Sequence, residues 1–125
     1  HAITLTSVQY DRAYMTLFRA ACERDGVFHG VEWVDVSQTF KETGIRLSTF
    51  QSLLVESKIR HPNNPSLNMS AAVAVAKQGR EGISTLAKDL STQRIDPMVA
   101  TVMAAYPFGL GREHRQAFDV SNYIG

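Results

Sequence analysis

Apolar residues recur at helical intervals through most of the chain. Tyr10, Ala13, Tyr14, Leu17, Phe18 and Ala21 fall three and four apart, which predicts an amphipathic helix with that stripe turned toward a core. Thr6 and Gln9 stand at capping-box spacing and place the helix start. Gly26 places its end. Ahead of it, residues 2–7 (AITLTS) alternate apolar and hydroxyl side chains, as a short strand or extended arm would. The stretch VFHGVEWVDV is β-rich, with Val31 and Trp33 on one side of an extended segment and Glu32 and Val34 on the other.

Two further helical patterns, residues 36–43 and 47–59, are separated by Gly44. RHPNNPS follows, and its prolines and asparagines predict a loop at 60–66, a candidate sub-boundary within a single domain of residues 1–125. SLNMSAAVAVAK predicts a closely packed, small-residue helix stopping at Gly79 and suited to a subunit interface. ISTLAKDLS reads as a short helix capped by Ser84, and DPMVATVMAAY as one with Asp96 as N-cap and Pro97 in first position. Pro107, Gly109 and Gly111 break the chain, and REHRQAF permits a last short helix. The expected fold is mainly α: a compact bundle of about five or six helices, with a short strand or hairpin near residues 27–36.

Length and composition narrow the class. At 125 residues and 44% apolar, the chain can bury a core without staples and is not disordered in character. No apolar run approaches a membrane span, and the start lacks the basic head and long apolar segment of a leader. Cys22 has no partner for a disulfide and reads as a small buried hydrophobe, so the expected compartment is cytoplasmic. Net charge is +1 and evenly spread, with no basic concentration along the sequence.

Candidate chemistry centres on residues 40–54, FKETGIRLSTFQSLL. Gly44 suits a tight turn, Ile45 can plug the angle between two helices, and Phe50, Leu53 and Leu54 give the second helix an apolar stripe. Arg46, Ser48, Gln51 and Ser52 lie largely on the other side, with Thr49 at its edge, while Lys58 and Arg60 follow at the far end. GIRLSTFQSLL resembles the turn and recognition helix of helix-turn-helix DNA-binding proteins, a resemblance covering residues 36–55. It implies that Arg46, Ser48, Gln51 and Ser52 read base edges in the major groove, with Lys58 and Arg60 meeting the phosphate backbone. The expected function is then a small noncatalytic regulator or accessory factor that binds double-stranded DNA as a dimer. The plain alternative is a structural helical hairpin in a noncatalytic assembly factor of a larger particle, meeting a protein partner through apolar helix faces.

Catalysis has little support at this level. His29, His61 and His114 have no metal-ligand spacing, GLGREH lacks the strand and lysine of a phosphate loop, and no GxSxG is present. Carboxylates are scattered rather than paired. No metal, cofactor or enzymatic activity is expected. Trp33 and Tyr123 are candidate partner contacts, with core filling the favoured reading of Trp33.

Overall fold

The computed structural model describes residues 4–88 and 94–110. The chain divides into two compact units, His1–Gln38 and Thr39–Gly125. The tail residues considered above, His114, Phe118, Val120, Tyr123 and Ile124, lie outside the described residues.

The first unit is a βαβ arrangement. Strand β1 (Ser7–Tyr10) pairs in parallel with β2 (Glu32–Asp35), in the register Ser7↔Glu32 through Tyr10↔Asp35. Parallel neighbours need a crossover, and helix α1 (Arg12–Arg24) supplies it. The helix begins five residues later than the capping-box spacing predicts, with its N-cap at Asp11 in place of Thr6. Residues 7–10 are drawn into the sheet, and Asp11 becomes the N-cap, accepting a hydrogen bond from the Ala13 N–H at 2.9 Å. Gly26 and Gly30, both at positive φ, carry the chain back to β2. Val8, Tyr10 and Trp33 share one sheet face by the alternation of the strands. On that face Trp33 meets the rings of Tyr10, Phe18 and Phe28 edge-on, at centroid distances of 5.8, 6.4 and 6.1 Å. Trp33 is therefore the half-buried centre of an aromatic cluster. The Arg19 guanidinium covers Tyr10 and Trp33 and is pushed up from its ordinary pKa, chiefly by its bond to Glu23 and then by that to the Tyr10 hydroxyl. It stays cationic at every accessible pH.

The second unit packs helices on a small antiparallel hairpin. Its elements are α2 (Phe40–Val55), α3 (Pro65–Val73), β3 (Ala76–Gln78), β4 (Ser84–Leu86) and α4 (Asp96–Gly109). Leu47 and Phe50 of α2 and Val102 of α4 form its buried centre, flanked by Ile59, Leu86, Met98 and Ala105. Asn64 caps α3 by accepting from the Ser66 and Leu67 N–H groups, with Pro65 in the first turn. The loop expected at 60–66 lies between α2 and α3, within this unit.

These elements correct the expected bundle of five or six helices. The described residues hold four α-helices and two small two-stranded sheets, an α/β arrangement. Two segments account for the difference. Val73 ends the Ala-rich helix early, because residues 76–78 pair with 84–86; the supposed ISTLAKDLS helix opens as strand β4. The helix–glycine–helix break at Gly44 is absent, since α2 runs unbroken from Phe40 to Val55. Gly44 serves close approach instead. A Cβ there would stand 2.3 Å from Ile83 Cγ2 and 3.3 Å from the Ser84 carbonyl oxygen. Gly79 has the same role beneath the Phe40 ring.

Candidate functional site

Chemistry in open α/β sheets gathers outside the carboxyl ends of parallel strands. At that edge of the first unit stand Asp11, directly after β1, and Asp35, the last residue of β2. Asp11 uses Oδ1 to cap α1, which fixes the carboxylate at the strand-to-helix junction. Asp35 is held by Arg12 Nη1 at 3.6 Å. Twenty-four residues apart in sequence, the two carboxylates come to one edge only through the parallel pairing of Tyr10 with Asp35.

The second unit carries its own carboxylate at an element boundary. Asp96 occupies the first turn of α4, where the helix dipole favours a negative charge. It accepts from Lys88 Nζ at 3.2 Å. The expected start of this helix is displaced by one residue: Ile95, buried, is the N-cap, and Asp96 and Pro97 lie inside the first turn.

The residues read as DNA contacts distribute differently over α2 than a recognition helix requires. Arg46 is 8% exposed. Its guanidinium lies 4.7 Å from the centre of the Tyr106 ring, its Nη1 donates to the Glu42 carbonyl at 3.4 Å, and it pairs with the Glu42 carboxylate at 3.5 Å. Thr49 is half-buried, its methyl occupying the space that Gly109 leaves open, and its hydroxyl donates to the Ile45 carbonyl. Ser52 is exposed, but its hydroxyl is likewise taken by its own helix, at the Ser48 carbonyl. Ser48 and Gln51 are exposed, as are Lys58, which pairs with Glu56, and Arg60. The side of α2 that carries Arg46, Leu47 and Phe50 is thus an inner one.

Among the described residues, no group of three or more His, Cys, Asp or Glu side chains could hold a metal ion, and no helix is long and apolar enough to cross a membrane. The carboxylates at the β1–β2 edge escape sequence analysis because strand pairing, not spacing, brings them together. One signal was present: Asp11 directly follows the alternating Val8–Tyr10 stretch and opens the helical stripe, the pattern of a strand passing into a helix.

Comparison with known proteins decides between these features. The family described as terminase large subunit, endonuclease domain, matches residues 1–111. The large subunit of the terminase of Enterobacteria phage HK97 is 35% identical over 100 residues, which is 80% of this chain and 19% of that protein. The crystal structure of the HK97 bacteriophage large terminase superposes with a TM-score of 0.74 at 33% identity, over 86% of this chain and 22% of the solved one. The chain therefore spans about a fifth of the length of the relatives it matches. These matches overturn the expected helix-turn-helix regulator, and the noncatalytic assembly factor with it, because the matched domain is an endonuclease. The unbroken α2 gives the physical reason: without a turn at Gly44 there is no helix pair to enter a groove. With the family matching all but its last fourteen residues, the chain belongs to the terminase large subunit endonuclease domain.

Proposed function

We propose that this chain is part of an endonuclease that cuts double-stranded DNA during phage DNA packaging, working in a complex with other packaging proteins. The observation that carries this reading is the endonuclease-domain match over residues 1–111. The carboxylate-bearing edge of β1 and β2 agrees with it, since hydrolysis of a phosphodiester by nucleases commonly runs on metal ions held by acidic side chains. The described residues do not by themselves fit a complete site of that kind. What the first unit supplies are two anionic positions: Asp11, fixed at the strand-to-helix junction, and Asp35, tethered to Arg12. On this reading Arg60 and Lys58, exposed beyond the end of α2, are phosphate contacts with no part in reading bases.

Asp11 gives the sharpest test because its capping and chemical roles separate. Asn is about as good an N-cap as Asp, whereas Ala forfeits roughly 1 kcal/mol. Asp11→Asn is expected to leave the melting temperature of the 125-residue chain close to that of the parent, and Asp11→Ala to lower it. In the large subunit carrying this stretch, both substitutions are expected to abolish cleavage of linear duplex DNA on a gel. Parent-level cleavage by Asp11→Asn would remove Asp11 from the site, and a parent subunit that never cuts DNA would end the nuclease reading.

A further inference from the structure

Helix α1 carries three arginines, and two of them are taken up by their neighbours. Arg19 donates from Nε to Glu23 and from Nη1 to the Tyr10 hydroxyl, both at 2.9 Å. Arg24 grips Asp25 through Nε at 2.9 Å and Nη2 at 3.3 Å. Arg12 differs. Its side chain is 77% exposed, and its one charged partner among the described residues, Asp35, stands 3.6 Å from Nη1, beyond hydrogen-bond reach. An exposed pair at that distance holds weakly, so the guanidinium keeps its donors for another acceptor. Its place is set by the chain and not by that pair. Arg12 is the first residue of α1, directly after Asp11, and so sits at the carboxyl edge of β1 and β2. The first unit has no lysine, and Arg19 and Arg24 lie about two turns or more along the helix from this edge.

We propose that Arg12 is a contact for a DNA backbone phosphate at this edge, and that Asp35 is its resting partner while DNA is absent. The ligand class follows from charge and shape. Asp11 and Asp35 make the edge anionic, and a phosphodiester brought against two carboxylates is repelled unless a cation stands with them. A guanidinium meets a phosphate with two parallel N–H···O bonds, which a single long contact to one carboxylate oxygen does not provide. Moving from Asp35 to a phosphate therefore exchanges a weak, solvent-screened pair for a forked, charge-assisted one. Only the side chain has to turn, because the backbone on both sides is fixed. Asp11 caps α1, and the Val36 N–H donates to the Tyr10 carbonyl at 2.8 Å just beyond Asp35. Like other phosphate contacts, Arg12 orients the duplex without reading its bases. The proposal rests on the nuclease reading for its ligand, and adds to it a cation that the carboxylates alone do not supply.

The test measures binding of short linear duplex DNA by the large subunit that carries this stretch, over a series of salt concentrations. A chelator is present, so that nothing is cut and Arg12 is the cation this edge offers to a phosphate. Arg12→Ala is expected to weaken binding about tenfold at low salt and to lower the slope of log affinity against log salt by about one unit. Its melting temperature is expected to stay close to the parent's, as for loss of an exposed pair. Arg12→Lys, which keeps the charge but not the fork, is expected to fall between the two. Arg24→Ala removes the same charge from the far end of the helix and is expected to change neither affinity nor slope. A lowered melting temperature for Arg12→Ala with parent affinity and slope would make Arg12 a tether between α1 and β2, and would overturn the proposal. So would equal losses for Arg12→Ala and Arg24→Ala, because net charge alone would then decide binding. A parent that neither binds nor cuts duplex DNA would end the nuclease reading itself. A parent that cuts, beside an Arg12→Ala variant of unchanged slope, would end this proposal alone.

Discussion

Arg46 shows how a side chain suited to guanine can be spent inside a fold. Its long stem and guanidinium lie against Tyr106, and Nε has no hydrogen-bond partner while fully buried. Its pairing with half-buried Glu42 is long, at 3.5 Å. The stabilising part is therefore the packing of the stem and the stacked plane, whereas the charge adds an unsatisfied buried donor. Arg46→Met keeps the volume and removes that donor. It is expected to leave the free energy of unfolding within about 1 kcal/mol of the parent or to raise it, whereas Arg46→Ala should cost about 2 kcal/mol or more through the gap it opens. Urea denaturation of the three proteins separates these outcomes. A loss as large for Met as for Ala would show that the charge, and not the stem, holds α2 to α4. The residue type was legible in the sequence; its direction was not, because Arg46 and Leu47 lie side by side on a helix whose inner face is set by β4 and α4.

At the scale of elements, one glycine separated expectation from structure. A glycine between two apolar helical patterns reads as a turn, because only glycine adopts positive φ without strain. The same residue is also the only one that lets another backbone approach with no Cβ in the way, and Gly44 is used for that, beneath Ile83 and the Ser84 carbonyl. Sequence alone does not distinguish the two uses, since the hairpin that demands the space lies forty residues on. Strands of three residues, such as β3 and β4, are likewise too short to display a two-residue period. Longer features were readable: a helix opening near Asp96–Pro97, a loop before Pro65, and extended chain within 27–36. The close approach yields a coupled prediction. Ala is worth about 1 kcal/mol more than Gly inside a helix, yet Gly44→Ala is expected to destabilise by about 1–3 kcal/mol because the added methyl meets Ile83. Ile83→Ala in the same chain should recover part of that loss. Strict additivity of the two substitutions in thermal melts would mean that Gly44 and Ile83 are not in contact.

For the whole molecule, length and composition correctly promised enough apolar residues for a core, but not that each of two units would bury its own. In the first, the buried apolar residues among those described are Tyr10, Cys22 and Val36, with Trp33 half-buried, and most apolar side chains of α1 are exposed. In the second, Leu47, Phe50 and Val102 are closed in by four further apolar residues from α4, β4 and the segment after α2. Amide exchange reports opening free energy segment by segment, and tenfold in protection corresponds to about 1.4 kcal/mol. In the isolated 125-residue chain, amides of β1 and β2 are expected to exchange at least about tenfold faster than those of α2 and α4, on the ground that two strands and a half-covered helix open more readily than a closed helical core. If the β1 and β2 amides were as protected as those of α2, a two-stranded sheet with one helix would suffice to close unit 1, and the contrast between the two cores would fail.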